Sequence, residues 1–370
     1  MGTITRTIAN NLTTDLGGAG GINFRNIIIN GDMSIAQRGT SVSGITGSGF
    51  YTVDRYYLVN GIGTWTQSQS TDVPTGQGFA TSLKMDCTTA NASPAADGEI
   101  VLRQVFEGQM LQYLKKGTVN AKSLTLSFWI KATKTGTNFV ELFDFDNTRQ
   151  ISKAYTINVS NTWEKKTLTF EGDTSGVLDN DNGASFGVQF SLGAGSNFTS
   201  GTLSTTWTSS TNADRFVGQV NHADSTSNEW YITGIQLEAG TSASDFEFLP
   251  VDVNLARCQR YFQSWGNFLI LVLYGQLADT GGLRAGQVNY VGGIMRAQPT
   301  HSWTDTSSNA NKFTIFKANG SATTNINLRP FSWNQNQILY LATYNEATGL
   351  TSQGDMGWGE AVSWTADAEL

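Results

Sequence analysis

The chain has 370 residues, of which 39% are hydrophobic, 11% aromatic and only 14% charged. Its length exceeds the ~100–200 residues of a usual single domain, so we expect two domains with ample apolar material for their cores. Proteins that bind phosphate backbones rely on clustered Lys and Arg, whereas this chain has a formal net charge of −7. The composition therefore argues against a nucleic-acid partner.

The chain has few residues that could cross-link it or bind zinc. Cys87 and Cys258 are its only cysteines, and His222 and His301 its only histidines. Two cysteines make no disulfide framework, and a Cys/His zinc site would have to gather these residues from distant positions. No segment has the ~18 consecutive apolar residues of a membrane span, and Met1–Arg6 lacks the apolar run of a signal peptide. We expect a soluble protein without membrane insertion.

Residues 1–22 are predicted to form an extended N-terminal arm. Thr5–Gly21 is polar, ends in a glycine-rich run and shows neither the period of a strand nor that of a helix. Two interpretations remain open: a disordered terminus, or an anchor that becomes ordered on binding a partner.

Residues 23–250 show the pattern of many short β-strands. In Ser123–Lys131, apolar residues alternate with Ser, Thr and Trp129, so that one side of the strand faces a core. Similar runs, separated by turn-forming residues, occur at Tyr51–Val59, Phe139–Phe145, Ala154–Val159, Lys165–Phe170, Ser185–Leu192 and Trp230–Leu237. Strands at this spacing predict an all-β sandwich or barrel.

One short helix is predicted inside this domain, over Gly108–Lys116. Lys115 and Lys116 suit its last turn and Gly117 a left-handed cap.

After Pro250 the pattern changes to a helical one. Leu255, Cys258 and Phe262 recur at helical spacing and predict a short helix between Asp252 and Gly266. We interpret residues 251–265 as a helical linker between the two domains.

Residues 266–370 are predicted to form a smaller C-terminal β-domain. The run Asn267–Leu277 is too continuously apolar for one side to face water, so a sheet layer or a neighbouring subunit must cover it. Further strands are predicted at Gly286–Met295, Lys312–Lys317, Thr323–Leu328, Gln337–Tyr344 and Ala361–Ala366.

Two patterns resemble enzyme sites without their structural context. Gly183–Gly187 matches the G-x-S-x-G nucleophile elbow, but a strand follows where that motif needs a helix. Glu141, Asp144 and Asp146 are close in sequence, and glycoside hydrolysis requires paired carboxylates, but nothing marks a substrate cleft. We expect no catalytic residues and no enzymatic activity.

Asp179 and Asp181 are candidate ligands of a structural calcium ion. In Asp179–Gly183, oxygen-bearing side chains stand at alternate positions, as in loops that bind hard cations. Phe190 stands where an EF-hand has its bidentate Glu, so a hydrogen-bonded turn is the default interpretation. No other cofactor is expected.

Ten tryptophans exceed the needs of the cores and make carbohydrate binding a hypothesis, because sugars stack on exposed aromatic rings. Trp129, Trp163 and Trp230 lie in or beside predicted strands and are expected in the core, whereas polar neighbours place Trp207 on a loop. The candidate glycan-binding residues are Trp207, Trp303 and Trp333.

An ordered set of segments carries a family resemblance. It comprises Arg25–Thr40, Tyr51–Arg55, Leu124–Ala132, Trp163, Tyr231–Gly240 with Phe246 and Glu247, Cys258–Phe262, Met295–Thr300 and Asp367–Leu370. Together these segments resemble a domain pair found in many tailed-phage virion proteins, usually tail fibres. Within the set, Asp54 is placed to pair with Arg38 or Arg55 and to serve the fold.

The resemblance implies a jelly-roll β-sandwich similar to carbohydrate-binding modules, then a small β-domain, in a virion protein that is often a homotrimer. It supplies no catalytic residue. We expect a protein made in the host cytoplasm and located in the virion, whose arm contacts other virion proteins; Ile4, Ile8 and Leu12 are the candidate anchor residues.

Three functions follow from these expectations. The first is a tail fibre that contacts a host-surface glycan. The second is a capsid or tail decoration or connector protein without a receptor role. The third is a polysaccharide depolymerase, which would need a working carboxylate pair.

Overall fold

The computed structural model describes residues 25–274, 283–289, 295–297, 299–304, 313–317, 322–326, 328–333, 338–343 and 356–370. From residue 265 onward, side chains are described only for 295–297, 299, 300, 302 and 365–370. The predicted arm, with Ile4, Ile8 and Leu12, lies outside the described residues. The chain divides after Asn254 into two compact units.

The first unit is a jelly-roll β-sandwich of thirteen described strands. They are β1 Ser41–Ile45, β2 Gly49–Phe50, β3 Tyr57–Asn60, β4 Thr64–Ser70, β5 Ser82–Thr89, β6 Glu99–Glu107, β7 Leu124–Ala132, β8 Gly136–Asp144, β9 Arg149–Ile157, β10 Glu164–Phe170, β11 Ala184–Ala194, β12 Thr208–Ser209 and β13 Glu229–Ala239. Sheet A has the order β1-β4-β5-β13-β7-β10, and sheet B the order β12-β9-β8-β11-β6-β3-β2. Every described pairing in both is antiparallel. The predicted all-β fold is confirmed.

The core lies between the two sheets, and strand alternation produces it. On β7, Leu124, Leu126, Phe128 and Ile130 are buried in one cluster with apolar residues of β6, β8 and β11. The Phe128 ring stands edge-on to the Phe190 ring of sheet B, with centroids 5.2 Å apart. Burying side chains of this size stabilises the fold by roughly 1.5–3 kcal/mol each.

The helical turns predicted over Gly108–Lys116 are present, but as separate 3-10 turns and not as one continuous helix. Two single 3-10 turns, Gly108–Met110 and Gln112–Leu114, occupy this stretch. Gly117 takes the predicted left-handed conformation, with φ 81°, but the second turn already ends at Lys115, which is left-handed with φ 54°. This early turn directs Lys116 inward, where its ammonium bonds buried carboxylates.

The segments that carry the family resemblance have structural roles in this unit. The Asn26 side chain donates to Ile235 O at 3.1 Å and accepts from Leu237 N at 3.0 Å, which fixes the first described residues beside β13. A Cβ on Gly31 would lie 2.1 Å from Ile235 O, so only glycine fits this approach. Asp54 is fully buried and accepts hydrogen bonds from both the backbone and the side chain of Gln37.

The division lies within helix α1, Val251–Gln259, and the second unit contains eight described strands. They are β14 Phe262–Tyr274, β15 Leu283–Asn289, β16 Thr300–Thr304, β17 Phe313–Lys317, β18 Ala322–Ile326, β19 Leu328–Trp333, β20 Ile338–Thr343 and β21 Met356–Asp367. They form one antiparallel sheet in the order β18-β17-β21-β14-β15-β20-β19, with β16 also paired to β21. No helix in the described part of the chain is long and apolar enough to cross a membrane.

The predicted linker helix is shorter than expected. Helix α1 ends at Gln259, and Gly266 lies within β14 opposite Ser363 instead of ending the helix. The strand begins at Phe262 because that residue already pairs with Asp367. The strand Thr300–Thr304 was not predicted.

Candidate functional site

The outer face of sheet A carries an aromatic residue in the middle of the sheet. Because alternate residues of β7 enter the core, Ser127, Trp129 and Lys131 point outward. Trp129 lies opposite Thr233 of β13 on one side and Lys165 of β10 on the other. The Trp129 side chain is half-buried.

A β-bulge makes room beside this tryptophan. The pairing of β13 with β7 shifts between Thr233 and Gln236, and Gly234 within that stretch has φ +61°. A Cβ on Gly234 would lie 2.5 Å from Phe79 Cζ, so any other residue would push the Phe79 ring away. Glycine therefore provides both the backbone conformation and the space at this position.

A pocket of about 340 Å³ lies at this point, which we call the Trp129 pocket. Its floor is sheet A, and its walls come from the loop before β5 and the segment after β13. The lining residues are Gly76, Gln77, Phe79, Ser127, Trp129, Lys165, Gly234, Asp245, Phe246 and Phe248. Its volume falls within the roughly 300–1,000 Å³ of small-molecule sites.

Three phenylalanine rings form one wall of the pocket. Phe79, Phe246 and Phe248 contact each other, with ring centroids 4.8–5.1 Å apart. Two of the three pairs have the edge-to-face geometry that aromatic rings prefer. Phe248 is nevertheless 51% exposed, so an apolar surface remains open to solvent.

Hydrogen bonds from β13 hold this wall in place. Gln236 Nε2 donates to Ser244 Oγ at 3.0 Å, and Gln236 Oε1 accepts from Glu247 N at 2.8 Å. Glu238 Oε1 accepts from Ser244 N at 2.8 Å. Glu247 Oε2 in turn accepts from Asn26 N at 3.0 Å. Asn26, Gln236, Glu238 and Glu247 belong to the segments of the family resemblance, and with Ser244 they position the pocket wall.

The pocket itself contains polar atoms without protein partners. Within the described residues, neither the Trp129 indole N–H nor the Lys165 ammonium has a hydrogen-bond or ion-pair partner. An indole presents an apolar face and a single donor, and an ammonium presents three donors. The pocket can therefore hold a ligand that combines apolar C–H surface with acceptor oxygens.

One flank of the pocket is a cluster of fully engaged side chains. The Lys131 ammonium lies 4.4 Å from the Tyr231 ring centroid and bonds Asp72, which accepts from Trp163 Nε1 at 2.9 Å. Tyr231 donates its hydroxyl to Glu229 at 2.8 Å. Burial and the neighbouring Glu229 raise the pKa of Tyr231 to about 12, so it stays a donor. This cluster stiffens the sheet face beside the pocket.

The tryptophans are distributed differently from the prediction. Trp230 is fully buried in the core, as expected, but Trp129 and Trp163 are half-buried on the outer face of sheet A. The prediction placed Trp129 and Trp163 on the wrong face of the sheet, because lying in or beside a strand does not decide whether a side chain points to the core or outward. Alternation does contain that signal, since Trp129 shares its face with Thr125 and Ser127.

Trp207 lies on a loop before β12, half-buried against the core cluster. Its indole N–H donates to Glu171 O at 2.8 Å, and the Lys116 ammonium lies 4.9 Å from its ring centroid. Its role in glycan binding stays a prediction. Trp303 lies on β16 and Trp333 ends β19, but their side chains lie outside the described residues.

The candidate carboxylates are spread over different surroundings. Glu141 is on the outer face of sheet B, where it accepts three hydrogen bonds of 2.9–3.1 Å from Arg215. Asp144 points to the other face and bonds Lys116. Strand β8 ends at Asp144, so Asp146 lies in a turn instead of sharing its face, and it accepts from Asp179 N at 2.8 Å.

Ser185 of the G-x-S-x-G match is a buried residue of strand β11. It does not stand on a strand-to-helix turn, so the expected coincidence agrees with the local structure.

The predicted calcium loop is a hydrogen-bonded turn. Asp181 Oδ1 accepts from Gly183 N at 2.8 Å, and the Asp181 carbonyl accepts from Gln109 N at 2.9 Å. Among the residues that the structure describes, no three His, Cys, Asp or Glu side chains are grouped to hold a metal ion. Calcium binding by Asp179 and Asp181 stays a prediction.

No protein-family model matches the sequence, and no curated protein matches it. Among solved structures, the enzymatically active domain of tailspike protein 4 of bacteriophage CBA120 is 14% identical, with a TM-score of 0.30. That match covers 58% of this chain but 21% of the tailspike chain, so this chain spans about a fifth of its length.

Two carbohydrate-binding domains are also similar. The N-terminal cellulose-binding domain of Cellulomonas fimi β-1,4-glucanase C is 12% identical over 56% of this chain and 100% of that one, with a TM-score of 0.28. The family 11 carbohydrate-binding module of Clostridium thermocellum, in complex with a β-1,3-1,4-mixed-linked tetrasaccharide, is 13% identical over 55% and 97%, with a TM-score of 0.25. All three TM-scores are below 0.5, so these similarities assign no function to the chain.

Proposed function

We propose that this chain is a non-enzymatic structural protein of a phage particle, a tail fibre whose sandwich domain binds a host-surface glycan. The virion role rests on the sequence resemblance to tailed-phage virion proteins. Glycan binding rests on one observation: the Trp129 pocket, with a half-buried indole beside a bulge in sheet A and polar atoms that have no partner within the described residues.

A sugar ring matches the chemistry of this pocket. The C–H face of a pyranose stacks on the Trp129 ring, and burying that apolar surface contributes about 25 cal/mol per Å². The hydroxyl oxygens accept hydrogen bonds from the Trp129 indole N–H and the Lys165 ammonium. Asp245 and Gln77 on the opposite walls supply an acceptor and an amide. Because Gln236 and Glu238 fix the wall beforehand, binding requires little ordering of the protein.

The same proposal assigns roles to the rest of the chain. Residues 1–22 attach the protein to other virion proteins through Ile4, Ile8 and Leu12. Three copies assemble through the apolar run Phe268–Tyr274, because subunit contact would cover this apolar segment and a three-fold arrangement closes on itself. Glu141 pairs with Arg215 and Asp144 pairs with Lys116, so the proposal gives these two carboxylates structural roles.

The test of glycan binding compares variants of the full chain on host cells and purified envelope polysaccharide. We expect Trp129→Ala to weaken binding at least tenfold, because an aromatic anchor in a pocket typically contributes about 2 kcal/mol or more. Trp129→Phe keeps a ring but loses the indole donor, so its loss should be smaller. Thr167→Ala is the matched control, since Thr167 is exposed on the same face and does not line the pocket.

Two results would overturn parts of this proposal. If the unaltered chain binds neither cells nor polysaccharide, receptor binding is wrong. If Trp129→Ala binds as tightly as the unaltered chain, the glycan lies elsewhere. Locating the chain in intact particles separates the fibre from the decoration or connector protein: a capsid position without glycan binding favours the latter.

A further inference from the structure

The outer face of sheet B contains a row of polar and aromatic side chains opposite the Trp129 pocket. Tyr57 of β3 pairs in register with Arg103 of β6, Arg103 with Gln189 of β11, and Gln189 with Glu141 of β8. Residues directly opposite in antiparallel strands share a face and lie side by side. The row therefore places Arg103 between a phenol ring and an amide.

The Arg103 side chain has no hydrogen-bond or ion-pair partner among the described residues, unlike Arg215, which bonds Glu141 of this row. Arg215 makes three hydrogen bonds to Glu141 and a fourth, of 3.2 Å, to Glu99. The Nε of the Arg103 side chain is shielded from solvent and has neither a hydrogen bond nor an ion pair with any described residue. The guanidinium carbon lies 4.8 Å from the Tyr57 ring centroid, within the range of a cation–π contact.

The position of Arg103 is electrostatically unfavourable in the unliganded protein. Burial lowers the pKa of its guanidinium, Tyr57 and the carboxylate of Glu99 partly offset this, and the cation of Arg215 adds to the lowering. Glu99 is itself engaged by Arg215. A half-buried charge without a direct partner is costly, because the protein replaces only part of the water that it excludes. An anionic ligand would supply the missing partner.

An aromatic wall stands beside this cation. The Phe50 and Tyr57 rings meet edge to face with centroids 5.0 Å apart, and the Arg38 guanidinium lies 5.0 Å from the Phe50 centroid. Both rings are half-buried, and the Tyr57 hydroxyl has no hydrogen-bond partner among the described residues. The site thus combines a planar cation, ring surface and a free hydroxyl.

We propose that Arg103 and Tyr57 form a second binding site, which takes the carboxylate of an acidic sugar residue such as a hexuronate. The planar guanidinium offers two parallel N–H donors that match a carboxylate. The Phe50 and Tyr57 rings contact the sugar ring, and the Tyr57 hydroxyl binds one of its hydroxyls. The saccharide part rests on the proposed function, whereas anion binding at Arg103 does not.

The test measures binding of the full chain to a hexuronate-rich polysaccharide and to the same polymer after reduction of its carboxyl groups. We expect Arg103→Gln to weaken binding of the acidic polymer about tenfold to a hundredfold and to leave the reduced polymer unchanged. Arg103→Lys keeps the positive charge but loses the two parallel N–H donors, so its affinity for the acidic polymer should lie between those of the unaltered chain and Arg103→Gln. Lys122→Gln removes an exposed lysine elsewhere and is the matched control.

The variant Trp129→Ala separates failure of the proposed Arg103 site from failure of the proposed Trp129 pocket. Trp129→Ala should still bind the acidic polymer more tightly than the reduced one, because Arg103 is intact. The opposite outcome is that Trp129→Ala abolishes all binding while Arg103→Gln still prefers the acidic polymer over the reduced one. That outcome would support glycan binding in the Trp129 pocket and overturn the proposed site at Arg103. If a polyol-phosphate polymer or inorganic phosphate competes and free hexuronate does not, the carboxylate assignment is overturned.

Stability gives an independent readout. Since the Arg103 side chain has no hydrogen-bond or ion-pair partner to leave behind, we expect Arg103→Gln to leave the urea midpoint unchanged or to raise it. A large drop in that midpoint would show that Arg103 serves the fold, and would overturn the proposal.

Discussion

Two regions of the sandwich bring polar and aromatic side chains together with opposite results. At one end, the Lys116 ammonium donates to Asp144, to Asp173 at 2.9 Å and to Gly176 O at 3.0 Å, beneath the Trp207 ring. On the outer face of sheet A, the Trp129 indole N–H has no such partner within the described residues. In the first region the fold supplies partners for the ammonium, and in the second it leaves the indole donor without one among the described residues.

The two arginines of sheet B repeat this difference on a single face. Arg215 uses its donors on Glu141 and Glu99, whereas the Arg103 side chain contacts the Tyr57 ring without a hydrogen bond to any described residue. Residue type therefore does not distinguish a structural cation from a binding one. What distinguishes them is whether the fold supplies the partner.

The largest expected effect on stability comes from removing the Lys116 ammonium from its hydrogen-bonded network. Lys116→Met removes the cation that Asp144 and Asp173 share. Asp173 keeps its ion pair with Arg149, whereas Asp144, whose side chain is fully buried, loses its one ion-pair partner among the described residues. We expect a loss of about 3–5 kcal/mol in the free energy of unfolding, because an uncompensated buried charge is strongly destabilising. Urea denaturation at pH 7 measures it.

The double variant Lys116→Met with Asp144→Asn is the control for this loss. It removes one stranded charge and should recover a large part of the stability. Lys122→Met, at an exposed lysine, should change stability by no more than about 0.5 kcal/mol. A Lys116→Met protein as stable as the unaltered chain would show that the network contributes nothing to folding.

The sequence predicted the sandwich but not this difference between its regions. Alternation within Ser123–Lys131 anticipated β7 at Leu124–Ala132, because a strand with one covered face must repeat with period two. Partners cannot be inferred in the same way. Asp144 bonds Lys116 across the end of the sandwich, and the same carboxylate seemed a catalytic candidate when only its neighbours in sequence were known.

The Trp129 pocket depends on features that leave little trace in sequence. Gly234 is one glycine among forty, and only its conformation and its contact with Phe79 show why it is required. Gln236 and Glu238 stand in a recognisable segment, yet their role in holding Ser244 and Glu247 appears only in three dimensions.

The second-largest expected effect comes from replacing Gly234, which provides the space for the Phe79 ring. Gly234→Ala places a side chain at φ +61° and against Phe79, so we expect a loss of about 1–3 kcal/mol and weaker glycan binding. Gly44→Ala is the matched control, because Gly44 has φ +68° and nothing within 4 Å of its added Cβ. Conformational strain is common to both variants, and the clash with the pocket wall belongs to Gly234→Ala alone. Equal losses, with glycan binding intact, would argue against a role for the bulge in shaping the pocket.

The smallest effect concerns a buried group that is partnered on one side only. His222 Nε2 lies 2.7 Å from Asn138 Oδ1, while its Nδ1 is buried without a partner among the described residues. Burial, reinforced by the nearby Lys134 cation, lowers the pKa of His222 to about 3 from its ordinary value of about 6.5. The ring is therefore neutral in the folded protein at pH 7.

This shift has a definite sign. Below about pH 6.5 the unfolded chain binds a proton at His222 that the folded chain does not, so stability is highest above that pH and falls as the pH drops toward 3. Between pH 6 and 5 the slope should approach about 1.4 kcal/mol per pH unit. Urea denaturation at pH 7, 6 and 5 measures it, with His222→Gln as the variant that flattens the profile. His301→Gln, which alters the only other histidine, should retain the slope. If the stability of the unaltered chain does not change between pH 7 and 5, the His222 ring takes up a proton in the folded protein as easily as in the unfolded chain. That result would mean that water reaches Nδ1 and that burial does not keep the ring neutral.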